Sequence, residues 1–77
     1  MDKVDKFTRK LQHDIAVRVL EELKNIRAGH VAHLDIKKIR GERNLYRVRL
    51  GKVRIKFIRT ASGNEIVDID FRNENTY

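Results

Sequence analysis

Two hydropathy periods divide this chain, and the change from one to the other is the strongest constraint on its fold. Val4, Phe7, Leu11, Ile15, Val19, Leu23 and Ile26 recur at spacings of three and four, the period that lines up one face of an α-helix. From Leu45 the period becomes two. Tyr46, Val48 and Leu50, then Val53, Ile55 and Phe57, then Val67, Ile69 and Phe71 alternate with mostly charged neighbours, as half-buried strands do. Asp2 and Asp5 suit the start of a helix and Arg27 its end, and Ala28-Gly29 supplies a stop. Polar Gln12-His13-Asp14 marks where the arm can divide in two. Helices followed by strands, rather than interleaved with them, give an α+β domain: an N-terminal helical pair packed on a three-stranded antiparallel sheet.

Turn chemistry sets the strand register. Gly51-Lys52 fits a two-residue hairpin with Gly first, which places Leu50 opposite Val53, Val48 opposite Ile55 and Tyr46 opposite Phe57. On the other face Arg49 then lies opposite Arg54, and Arg47 opposite Lys56. Like charges opposed across an antiparallel pair are unfavourable, so four cations on one face point to an anionic ligand above them. The second turn falls within Thr60-Ala61-Ser62-Gly63-Asn64, and matched apolar faces require a loop of odd length. Five residues place Arg54 opposite Asp70 and Lys56 opposite Asp68. Three place Arg54 opposite Arg72 and Lys56 opposite Asp70. The first arrangement also offers a purely structural role, in which the acids neutralise the central strand.

Charge follows the same division. At 77 residues the chain, read as one domain over 1–77, is near the lower limit for a single core, and it carries a net charge of +7. Residues 37–59 hold ten basic side chains against one acid, Glu42, whereas residues 1–36 are nearly balanced. Such a concentration predicts a polyanionic partner, most often nucleic acid, because each neutralised phosphate releases counterions. The absence of Cys rules out disulfides and thiolate sites and fits a reducing cytoplasm. No apolar run reaches membrane-spanning length, and Met1–Lys6 lacks the apolar stretch of a signal peptide.

The run Leu34-Asp35-Ile36-Lys37-Lys38-Ile39-Arg40-Gly41, the string Leu45-Tyr46-Arg47-Val48-Arg49-Leu50-Gly51 with Val53-Arg54-Ile55, and Asp68-Ile69-Asp70-Phe71-Arg72 ending at Tyr77 together resemble the RelE/ParE superfamily of type II toxins. The resemblance covers nearly the whole chain. Members commonly begin with a strand before the first helix, whereas the helical pattern here starts almost at Met1, so the expected sheet lacks that strand. The resemblance implies a cytoplasmic toxin that cleaves mRNA on the ribosome and is held inactive by a cognate antitoxin, as a monomer or an antitoxin-bound hetero-oligomer. The implied reaction is metal-independent attack of a ribose 2′-hydroxyl on the adjacent phosphate, with no cofactor. It needs a base, cations for the phosphorane and an acid for the leaving oxygen. Carried over by position, Arg54 and Arg72 clamp the scissile phosphate, Tyr77 stacks on or orients a nucleotide, and Arg47 and Arg49 hold the RNA backbone. Lys37, Lys38, Arg40 and Arg43 extend the RNA-binding surface. Some relatives place His beside the terminal Arg where this chain has Phe71, which leaves Asp70 and Lys56 as candidate bases. The same scaffold also serves a ParE-like gyrase inhibitor or a noncatalytic RNA-binding relative.

Other residues read as structural. His30 and His33 lack Cys and have only Asp35 as a nearby acid, so no metal site is expected. Tyr46 shares its phase with Val48 and Leu50 and belongs with the core. Three Phe and two Tyr are too few for a broad base-stacking platform.

Overall fold

The computed structural model describes residues 3–71. The predicted helical arm divides into α1, Lys3–Thr8, and α2, His13–Ala28. At the end of α1 the Thr8 hydroxyl donates to the Asp5 carbonyl at 3.1 Å, and the Lys10 and Leu11 amides bond three residues back, to Phe7 and Thr8. That tighter winding ends the helix. The second helix starts after Gln12, whose backbone is extended and whose carbonyl accepts from the Ala16 amide at 2.8 Å. It stops at Gly29, where φ is +83°, a value an L side chain strains to reach. The Gly29 amide donates to Ile26 and the His30 amide to Asn25, the paired bonds of a Schellman ending.

Four antiparallel strands follow: β1 Asp35–Lys38, β2 Leu45–Leu50, β3 Val53–Thr60 and β4 Gly63–Phe71, adjacent in that order. The three-stranded expectation is therefore corrected by β1. This strand has one apolar residue, Ile36, and lies at the sheet edge with its other three residues exposed, so its period is too weak to read. Its ladder with β2 places Ile36 opposite Val48 and Lys37 opposite Arg47. Asn44, with φ +61°, turns the chain back into β2.

The first hairpin has the expected register. Leu50 pairs with Val53 and Tyr46 with Phe57, and Gly51 has φ +60° at the position where a two-residue primed turn needs it. The second hairpin departs from both loops considered. Its connection is Ala61-Ser62, with Thr60 opposite Gly63, and the register then slips by one residue between Phe57 and Lys56. Ile66 faces Phe57 while Asp68 faces Lys56, so Val67 is the extra residue of a β-bulge. The bulge puts Val67 on the surface at 51% exposure, although its alternation with Ile69 placed it inside. Beyond the slip, the pairings expected of the five-residue loop return, Arg54 with Asp70 and Lys56 with Asp68.

One sheet face carries the core. Val19, Leu23 and Ile26 of α2 pack with Val48, Leu50, Val53, Ile55, Phe57 and Ile69, joined by Phe7 of α1. Ile15, expected on this stripe, is 40% exposed. It keeps the phase of Val19 and Ile26 but lies in the first turn of α2, at the end of the stripe. The Asn64 side-chain amide donates to the Ile26 carbonyl at 2.9 Å, tying the start of β4 to the end of α2. Helix α1 lies along β4, with Phe7 against Phe71 at 4.7 Å between ring centres, and Phe71 remains 48% exposed. Among the described residues no helix is long and apolar enough to cross a membrane.

Candidate nucleic-acid interface

Strand alternation sends every second side chain away from the helices. With Val48, Ile55 and Ile69 inside, the opposite face receives Asp35 and Lys37 of β1, Arg47 and Arg49 of β2, Arg54 and Lys56 of β3, and Asp68 and Asp70 of β4. These form two parallel rows across the sheet. One runs Asp35, Arg49, Arg54, Asp70, and the other Lys37, Arg47, Lys56, Asp68.

The rows differ in charge. In the first, two cations lie between two acids, and Arg54 Nε stands 3.5 Å from Asp70 Oδ1. Neither of those atoms completes a hydrogen bond among the described residues, so the pair is held by charge and register. In the second row three consecutive cations meet one acid, and that acid is engaged elsewhere. Lys3 of α1 donates to the Asp68 carboxylate. The bond holds the Asp68 carboxyl below its ordinary range, with the Lys3 charge adding to the effect, and it raises the Lys3 ammonium. Among the described residues no carboxylate reaches ion-pair distance of Lys37, Arg47 or Lys56.

The predicted RNA-binding residues are thus only partly gathered. Lys37, Arg47 and Arg49 share the open face with Arg54, Lys56 and Asp70. Lys38 has the phase of Tyr46 and belongs to the helix side of the sheet edge. Arg40 and Arg43 lie in the β1–β2 loop, beside Gly41 and Glu42, in a shallow concavity. Arg72 and Tyr77 lie outside the described residues.

Two contributors were absent from the sequence reading. Asp35 emerges as the acid facing Arg49 once β1 is known to be a strand. Lys3 reaches Asp68 across 65 positions of sequence, a separation that leaves no local signal. Tyr46 stacks on Phe57 with ring centres 5.4 Å apart, and the Arg59 guanidinium lies 5.9 Å from the Tyr46 ring centre. That environment fits its assignment to the core. His33 contacts Glu22 at 2.7 Å, and the Asn25 amide donates to the same carboxylate at 2.8 Å. Both bonds pull Glu22 below its usual range, Asn25 more strongly.

The chain is similar in structure to a chain in the crystal structure of a RelB-RelE antitoxin-toxin complex from Methanococcus jannaschii. Identity is 24% and the TM-score 0.70, over 86% of this chain and 80% of that one. The likeness establishes the fold. No family model matches the sequence, and a search of curated proteins finds no match.

Proposed function

We propose that this chain is the toxin of a type II toxin-antitoxin pair, a ribosome-dependent mRNA endoribonuclease whose open sheet face binds the RNA backbone. The observation that carries the reading is the gathering of Lys37, Arg47, Arg49, Arg54 and Lys56 on one face that no described helix covers. Cations concentrated on such a face attract phosphates at long range and fix their register at contact. Support for the toxin reading comes from the motif resemblance together with the fold shared with a chain of an antitoxin-toxin complex. The antitoxin is then the cognate protein partner, and mRNA on the ribosome is the substrate.

In this reading Asp70 takes the proton of the 2′-hydroxyl, and Arg54, 3.5 Å away, meets the charge that develops on the phosphorane. Bond formation between O2′ and phosphorus proceeds as the bond to the 5′-oxygen breaks, and that oxygen takes a proton from solvent water, leaving a 2′,3′-cyclic phosphate and a 5′-hydroxyl. Lys56, beside Arg47 in the more basic row, serves as a phosphate anchor. Arg72 would complete the clamp and Tyr77 would orient the base. A noncatalytic RNA-binding role is the second reading. It is favoured by one observation, that Arg54 already has a carboxylate partner.

Induced expression in a bacterial host, with primer extension on translated and untranslated copies of one transcript, separates the readings. Cuts confined to the translated copy support the ribosome-dependent nuclease. Growth arrest without cuts moves the assignment to gyrase inhibition, and growth without cuts to the noncatalytic binder.

A further inference from the structure

We infer that Lys3 is a positioning residue for the sheet face: by holding Asp68, it keeps Lys56 unpaired and makes Lys37–Arg47–Lys56 the principal track for a single-stranded polyanion. The inference rests on the RNA-binding reading above and adds to it which cations bind and what keeps them available.

Two pins fix α1 against β4. Phe7 and Lys3 are one helical turn apart and so share a face of α1. Phe7 rests on Phe71, and Lys3 reaches Asp68. Asp68 is also the residue directly across from Lys56. Without Lys3 the nearest cation for this carboxylate is Lys56, and cross-strand pairing of opposite charges is favourable. The shifts of Asp68 and Lys3, each caused first by their shared bond, agree with a carboxylate committed to α1. The contrast with the neighbouring row is internal to the molecule. There, among the described residues, no helix side chain bonds Asp70, which Lys3 meets only through its charge, and Asp70 sits against Arg54, which leaves that row balanced. Three cations on adjacent strands about 4.8 Å apart make a continuous stripe perpendicular to the strands, suited to successive phosphates of an extended single strand.

The test is a double-mutant cycle read by anisotropy of a fluorescently labelled oligouridylate, at several salt concentrations. Loss of one phosphate contact on a single strand lowers the salt slope by about 0.7, or about fivefold in affinity near 0.1 M salt. Lys3→Gln is expected to weaken binding by about that factor in the otherwise native chain and to have no effect in an Asp68→Asn background. Asp68→Asn alone is expected to leave binding close to native. Thermal melts of each variant, together with Lys3→Arg, which keeps the ion pair and native binding, separate this effect from loss of fold. Equal weakening by Lys3→Gln in both backgrounds would make Lys3 a direct phosphate ligand and overturn the inference alone. So would native binding by Lys3→Gln. Absence of salt-sensitive binding by the native chain would overturn the RNA-binding reading as well.

Discussion

Arg47 and Arg54 sit one strand apart on the same sheet face in opposite electrostatic settings. Arg54 has Asp70 at 3.5 Å, while Arg47 has Lys37 on one side and Lys56 on the other. Cation crowding, inferred from the first hairpin alone as a property of all four residues, is therefore concentrated at Arg47. Replacing Arg47 by Ala removes its like-charge contacts with Lys37 and Lys56, and stability is expected to rise by roughly 0.2–1 kcal/mol in low-salt urea unfolding. The same variant should bind oligouridylate more weakly. Arg54→Ala removes half of a partly exposed pair. It is expected to lower stability by less than about 1 kcal/mol while abolishing mRNA cutting in the primer-extension assay. Reversed signs in the two urea melts would show that the row charges do not control stability, and full cutting by Arg54→Ala would remove it from the phosphate site.

At the scale of elements, β4 shows where sequence pattern stops being sufficient. Ile66 and Val67 are adjacent and both apolar, so the strand offers two alternating phases, and only the slip opposite Phe57 selects one on each side of the bulge. Val67→Thr, at a half-exposed position, is expected to change stability by no more than about 0.5 kcal/mol. Ile69→Ala, at a position 1% exposed, is expected to destabilise by about 2–5 kcal/mol. Comparable losses in guanidinium unfolding would place Val67 inside and refute the bulge. The elements with a strong period or a defined turn were legible: α2 through Val19, Leu23 and Ile26, and the first hairpin through Gly51. Strand β1 was not, because Ile36 alone cannot establish alternation, and Asp35 was lost to the site along with it. The bond from Lys3 to Asp68 was illegible for a different reason, since it exists only after α1 has docked. The loop between α2 and β1 is tied by His33 and Glu22. Because the folded Glu22 carboxyl is depressed by Asn25 and His33, its contribution is complete above the unfolded value of about 4.3 and fades as pH falls through the lower folded value. Glu22→Gln should flatten the decline of the urea midpoint in that acid window, and an unchanged decline would assign it to other carboxylates such as Asp68.

Over the whole molecule, the charge division follows the two layers. The helical segment is nearly neutral, whereas residues 37–59 bring ten cations and one acid largely to the sheet and its β1–β2 loop. A domain of this size buries only about 60% of the surface its unfolded chain exposes, so repulsion within the sheet is a substantial fraction of its net stability. Any polyanion that binds the folded face, and finds no comparable array in the unfolded chain, must stabilise the fold by linkage. At a free oligouridylate concentration 100 times its Kd the gain is about 2.7 kcal/mol. For a chain of 60–100 residues that corresponds to a rise in Tm of roughly 10–20 °C. The rise is expected in low salt, to shrink steeply as salt competes for the phosphates, and to be smaller in Arg47→Ala than in the native chain. Thermal melts with and without the oligonucleotide decide the matter. A Tm that does not respond at low salt, with the chain folded, would mean that the basic face is a solvated surface whose repulsion the core alone sustains. A salt-sensitive rise that persists undiminished in Arg47→Ala would place the ligand on the β1–β2 loop, at Arg40 and Arg43, instead of on the sheet.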